Sequence, residues 1–185
     1  TTTTKVLDYL WMIIVHSRQN YNEQNNIETR ADDGFKQSLL GFLATFRSLL
    51  KISMVDMPDQ IRGYVVNTLV FALKHFPTIL RGMGLFFRPE ELCQEIVETL
   101  DIARNITVPP PKNDPTKKAG TGTGTGGADS AKDIKKSEGK VTAARLTLYS
   151  SVVRSEFFQS AETRIQLLPS MANLLWCQLN TSLTD

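Results

Sequence analysis

Gly122-Thr123-Gly124-Thr125-Gly126-Gly127 satisfies the spacing G-x-G-x-x-G, in which glycines let a backbone close on a pyrophosphate at a helix N-terminus. That chemistry needs a strand before the motif and a helix starting on it. Here Pro109-Pro110-Pro111 and Lys117-Lys118 stand upstream, and an alternating Gly/Thr tract reads as low-complexity filler. No Gly-Lys-Ser/Thr follows, so a phosphate loop fails as well. His16 and His75 are the only imidazoles, and the spacing puts each near a helix C-terminus, where a ring interacts favourably with the last carbonyls. Neither has Cys or His at ligand spacing, so no zinc set forms. Cys93 and Cys177 lie in or beside apolar stripes, the setting of inert buried thiols rather than nucleophiles. Asp32-Asp33 and Glu90-Glu91 fall at loop ends and helix starts, where capping explains them. No catalytic, cofactor-binding or metal-binding residue emerges. Ser130 and Ser137 are the candidate modification sites: phosphorylation there offsets part of the positive charge of Lys135-Lys136.

The elements that would position these residues are helical throughout. Val6, Leu7, Leu10, Trp11, Ile14 and Val15 recur at helical spacing, which predicts a first helix to about Gln19. Asp33 caps a second, striped by Phe35, Leu39, Phe42, Leu43, Phe46, Leu49 and Leu50 and ending near Ser53. Pro58 opens a third, which Pro77 closes, and Pro89-Glu90-Glu91 opens a fourth that runs to about Asn105. Val141, Ala144, Leu148 and Val152 mark a fifth, and a sixth starts near Ser160 and Thr163 with Pro169 inside it. No alternating run bounded by Asn-Gly or Asp-Gly offers a strand pair. The expected fold is all-α: about six helices as antiparallel pairs in an armadillo/HEAT-like right-handed array, against an irregular bundle as competitor. The aromatics Trp11, Phe42, Phe46, Phe71, Phe76, Phe86 and Phe87 are expected to be core.

The 185 residues carry 21 Lys+Arg against 19 Asp+Glu, and hydrophobic residues make up 41%, the composition of a globular domain. One segment departs from it. Residues 107–140 hold four of the eight prolines, six of the eleven glycines and no aromatic, with seven lysines against four acids. The chain's net +2 therefore leaves −1 outside that segment, which removes the case for a basic nucleic-acid-binding face. The expected organisation is helical repeats over 1–106, a flexible Pro/Gly/Thr/Lys-rich insert over 107–140, and a further helical repeat over 141–185. With two cysteines, no bilayer-length apolar run and no signal-peptide core, the chain reads as a piece of a larger cytoplasmic protein.

Three stretches carry a family resemblance. Tyr9-Leu10-Trp11-Met12-Ile13-Ile14-Val15-His16-Ser17-Arg18 is the first. The second joins Ala72-Leu73-Lys74-His75-Phe76-Pro77-Thr78-Ile79 to Leu85-Phe86-Phe87-Arg88-Pro89-Glu90-Glu91-Leu92. The third runs from Ser155-Glu156-Phe157-Phe158-Gln159 through Glu162-Thr163-Arg164 to Leu167-Leu168-Pro169. Their order and spacing resemble the helical-repeat region of the dedicator of cytokinesis family of Rho-type exchange factors, apart from the 107–140 insert and Arg88, which stands where a capping Asp is expected. The resemblance implies a parent that acts on a Rac/Cdc42-type GTPase through a catalytic domain and contacts phosphoinositide membranes through a C2-like one, with recruitment to the plasma membrane. This chain then lies in the array between them, with no catalytic residue, no cofactor, no nucleic acid, and protein partners or self-association on its surface. The alternatives are an independent peptide-binding repeat module, whose groove exposed aromatic or basic residues would line, and an enzyme built on the Gly-rich run, which would need an ordered helix at Gly127.

Overall fold

A computed structural model describes residues 2–109 and 126–183. Among them are seven α-helices, one 3-10 turn and no strand: α1 (Thr2–Gln24), the turn (Thr29–Ala31), α2 (Asp33–Leu50), α3 (Asp59–Met83), α4 (Pro89–Arg104), α5 (Gly126–Val153), α6 (Glu156–Gln159) and α7 (Ala161–Leu183). Helices two apart in sequence lie side by side. α3 packs on α1 and most extensively on α5, and α4 packs on α2 and most extensively on α7. The result is two layers, α1–α3–α5 and α2–α4–α7, that is, helix pairs stacked as an array as the periodicity predicts.

One continuous core fills the space between the layers. α2 contributes Leu39, Leu43, Phe46 and Leu50, α4 Leu92, Ile96, Leu100 and Ala103, and α7 Leu167, Met171 and Leu174. α3 buries Val66, Leu69, Leu73, Phe76, Ile79, Leu80 and Met83. Phe46 and Phe76 stack with centroids 5.6 Å apart, and Phe35 meets Phe86 edge-on at 4.7 Å.

The helix boundaries depart from the sequence expectation in five places. α1 runs past Gln19 to Gln24, where Asn26 at φ 56° ends it: the Ile27 N–H donates to Asn22 O and the Asn26 N–H to Glu23 O, a Schellman closure with Asn in the glycine position. Asp32, not Asp33, caps α2 by accepting from the Phe35 N–H. α2 stops at Leu50 rather than Ser53. Pro77 lies inside α3 and does not close it. Its lost hydrogen bond costs about 3 kcal/mol, which the burial of Ile79, Leu80 and Met83 beyond it offsets. α5 begins at Gly126 and not Val141, so residues 126–140, assigned above to the flexible insert, are helical: Lys135, Lys136, Glu138 and Lys140 are good helix formers that extend the packed helix outward. Residues 110–125 of the expected insert lie outside the described residues. The short α6 escapes helical-period reading because it is a single turn that inserts Phe157 into the core.

Two features fix α1 against the rest. On α3, Gly82 has the Trp11 indole nitrogen where a Cβ would stand, and the same indole stacks on Phe42 of α2 at 5.4 Å. At the α1–α2 corner the nearly buried Asp32 carboxylate accepts from Arg18 Nε at 2.7 Å, Asn22 Nδ2 at 2.8 Å and the Phe35 N–H at 3.2 Å. Arg18 first, then Asn22 and the backbone N–H, hold the Asp32 carboxyl down at about 2 against desolvation.

Two outcomes follow from these packings. Gly63, also on α3 but facing open space, should gain about 0.5–1 kcal/mol as Gly63→Ala. Gly82→Ala should instead lose stability by about 1–3 kcal/mol, because displacing a rigid indole outweighs the propensity gain. Urea denaturation of both variants checks the opposite signs. Because the folded carboxyl of Asp32 lies below its unfolded value of 3.8, its contribution is complete above that pH and is lost as pH falls toward about 2. Asp32→Asn should cost about 1–3 kcal/mol at neutral pH and flatten the acid limb of the stability curve in denaturation at stepped pH.

Candidate functional site

The residues singled out for chemistry do not converge. His75 is in the middle of α3, not at its end; its Nδ1 meets Asp8 Oδ1 of α1 at 2.8 Å and its ring leans on Phe71 at 4.1 Å, so it pins one helix to another. His16 is likewise mid-helix, exposed on α1. Among the described residues no group of three His, Cys, Asp or Glu is placed to hold a metal. The thiols separate: Cys93 is fully buried, with its pKa pushed up by burial and its Sγ 3.7 Å from Thr163 O. Cys177 is exposed on α7, contrary to the expectation of a second inert buried thiol.

Glu91 does the capping work assigned to its pair. The Arg88 N–H donates to Glu91 Oε2 at 2.6 Å, and Lys36 Nζ of α2 sits 3.1 Å from Oε1. The Arg88 N–H first, then Lys36, hold its carboxyl below the usual range. Arg88 thus starts α4 without a side-chain acceptor of its own, because the third helical residue reaches back. Arg47 adds a second α2–α4 link, to Glu95 and, at 3.5 Å, to Glu98.

Gly126 and Gly127 do open a helix, which meets one requirement of the dinucleotide reading; the rest of the run lies outside the described residues, and no strand occurs among the described ones. Ser130 and Ser137 both fall within α5, seven residues apart. Ser137 is half-buried and engaged, not the solvated linker position expected. The side chain of Ser130 lies outside the described residues.

What the structure does present is surface. On α1, Val6, Tyr9, Leu10, Ile13 and Ile14 are exposed, Tyr9 at 66% and Ile13 at 60%; on α7, Ile165, Leu168, Leu175, Trp176 and Leu179 are, Ile165 at 73% and Trp176 at 65%. The helical spacing puts Val6, Leu10 and Ile14 on the stripe of the first helix. The exposed rows lie on the outer helices of the array, one at each end, where no further helix among the described residues covers them. Single exposed apolar residues are ordinary, whereas contiguous rows of this kind mark contact surfaces. No described helix is long and apolar enough to cross a membrane.

Comparison with known families matches residues 1–184 to the dedicator of cytokinesis (DOCK) TPR region. No solved structure matches the chain.

The thiol geometry is directly measurable. A chromogenic disulfide reagent should titrate one thiol per chain rapidly in native buffer, Cys177, and the second only after denaturation, with Cys177→Ser abolishing the fast phase.

Proposed function

The chain belongs to the dedicator of cytokinesis family, in its TPR region, and from this premise we propose that it is a non-catalytic helical scaffold segment of a Rho/Rac-family guanine nucleotide exchange factor. It is part of a protein of small-GTPase signalling. The scaffold role is to hold a membrane-binding and a catalytic domain at a set spacing and to offer a protein-interaction surface between them. The parent then serves a Rac/Cdc42-type GTPase, contacts phosphoinositides through its other domains, and works in the cytoplasm with recruitment to the plasma membrane, where such signalling drives cytoskeletal remodelling and cell migration.

One observation carries the reading: a two-layer helix array whose inner faces form a continuous core and whose outer helices each expose an apolar row. Stacked repeats stabilise one another through neighbours, so an exposed apolar outer face is a seat for a further repeat, a neighbouring domain or a second copy. Phosphorylation of Ser130 or Ser137 belongs to the same proposal as a modulation of α5, where a dianion would stand among Lys135, Lys136 and Lys140.

Hydrogen exchange on the chain alone and within its full-length parent tests this. The outer helices α1 and α7 should gain protection in the parent while the α3–α4 middle is protected in both, and the chain alone should release no labelled GDP from Rac. Equal protection of every helix in both settings overturns the scaffold role in favour of an independent peptide-binding module, and nucleotide release by the chain alone overturns the non-catalytic assignment.

A further inference from the structure

A cleft of about 720 Å³ opens where three elements meet away from the apolar end rows. The last turns of α3 supply Leu80 and Arg81, the chain just past it Leu85, the 3-10 turn Arg30, and the α5–α6 junction Arg154 and Phe157. We infer that this cleft binds an acidic peptide segment of a partner protein, seating an apolar side chain on its floor and carboxylates on its rim.

Three features of the lining select that ligand. The rim carries Arg30, Arg81 and Arg154 against the single Glu156, and none of the three guanidinium groups has a carboxylate partner among the described residues. The cations that do pair with acids in the array are partly buried: Arg18 with Asp32, Lys36 with Glu91, and Arg47 with Glu95 and Glu98. Three arginines brought to one mouth from separate elements and left unpaired are donors for external anions, since a guanidinium fork matches a carboxylate. The floor is apolar, with Leu80, Val152 and Phe157 almost fully buried beneath it and Leu85 partly exposed at its side. Ser151 and Ser155 donate their hydroxyl protons inward, to Thr147 O at 2.9 Å and Val152 O at 2.6 Å. Their oxygens are left as acceptors, which suit the N–H groups of a peptide backbone.

The helix ends at the cleft do not oppose an anion strongly, because most of their last carbonyls are used. Gly84 N–H caps Leu80 O at 2.9 Å, Phe86 N–H caps Met83 O at 2.9 Å, and Arg154 N–H caps Ser150 O at 3.2 Å. The 107–140 stretch of this chain is excluded as occupant by its own charge, seven lysines against four acids. A lipid headgroup would use the arginines but neither the floor nor the serine acceptors. The inference stands apart from the scaffold role.

The test is fluorescence anisotropy on the full chain with a labelled peptide, Glu-Glu-Asp-Leu-Glu-Asp-Glu, at two salt concentrations. Saturable binding is expected, weakened at least tenfold by Arg81→Glu with Arg154→Glu, severalfold by Arg30→Glu alone on its separate element, and severalfold when Ser replaces the peptide's Leu. The arginines are exposed, and circular dichroism of each variant should be unchanged. Absence of binding, insensitivity to the charge reversals, or equal binding of the Ser peptide overturns the proposal. So does displacement of the peptide by vesicles containing phosphatidylinositol bisphosphate at lower concentration than by unlabelled peptide, which would assign the arginines to a membrane.

Discussion

α3 is the constraint on which the rest of the structure depends. It is the middle helix of its layer, flanked by α1 and α5, and it also lies against α2, so both its sides and its inner face are occupied. A helix covered on three sides must be apolar over most of its circumference, and α3 is: its buried residues from Val66 to Met83 include two neighbours in sequence, Ala72 and Leu73, that no single narrow stripe would bury together. Continuity across Pro77 matters for the same reason. If the helix broke there, Ile79, Leu80 and Met83 would leave the core, and Gly82 would no longer offer the flat surface on which Trp11 lies.

Buried charge sets where the chain leaves this frame. Arg62 of α3 donates to Pro109 O at 3.3 Å and to Met57 O at 3.2 Å, and the buried Arg145 of α5 donates to Ile106 O. Burial makes the Arg145 charge harder to hold, and it raises the Tyr149 hydroxyl's pKa beside it. A guanidinium taken from water is sustained by carbonyls that would otherwise be orphaned past the end of α4. Two helices of one layer thereby grip residues 106–109 as they depart from the other layer, so the exit point of the long connection is specified by side chains distant in sequence.

Helical identity was legible in the sequence because apolar spacing of 3.6 residues survives any rearrangement of neighbours. Leu39, Leu43, Phe46 and Leu50 on α2, and Leu92, Ile96 and Leu100 on α4, face the core as their spacing predicts. What periodicity does not carry is which stripe finds a partner. Tyr9, Ile13, Leu168 and Leu175 have the same spacing character as core residues and are exposed, since coverage depends on what lies beyond the outer helices. Pro77 reads as a helix end because its local cost is visible in sequence while the burial it permits is not. Residues 126–140 misled because glycine and lysine content describes an average, while α5 inherits its direction from a packed C-terminal half. His75, read as an end-of-helix ring, was misplaced by the same Pro77 error. The arginine cleft was invisible for a different reason: Arg30, Arg81 and Arg154 come from three elements, and no spacing rule links them.

Lateral stacking also decides where motion and contact concentrate. In an array each helix pair is stabilised by its own packing and by its immediate neighbours, so the interior pair α3–α4 receives support from both sides and the outer members from one. α1 shows the consequence: Val15 is its one fully buried apolar residue among those described, with Trp11 partly covered, and its hold on the frame depends on Trp11 over Gly82, His75 with Asp8, and the Asp32 carboxylate at its far end. Three anchors spread along 23 residues fix the helix while leaving its outer row of Tyr9, Leu10, Ile13 and Ile14 uncovered by the described residues. One aromatic and two polar anchors therefore set the position of α1, and its outer apolar surface is kept in reserve. That division suits the proposed scaffold role: a surface docking there would meet a helix already ordered, and lose less conformational entropy than one that must order it on contact.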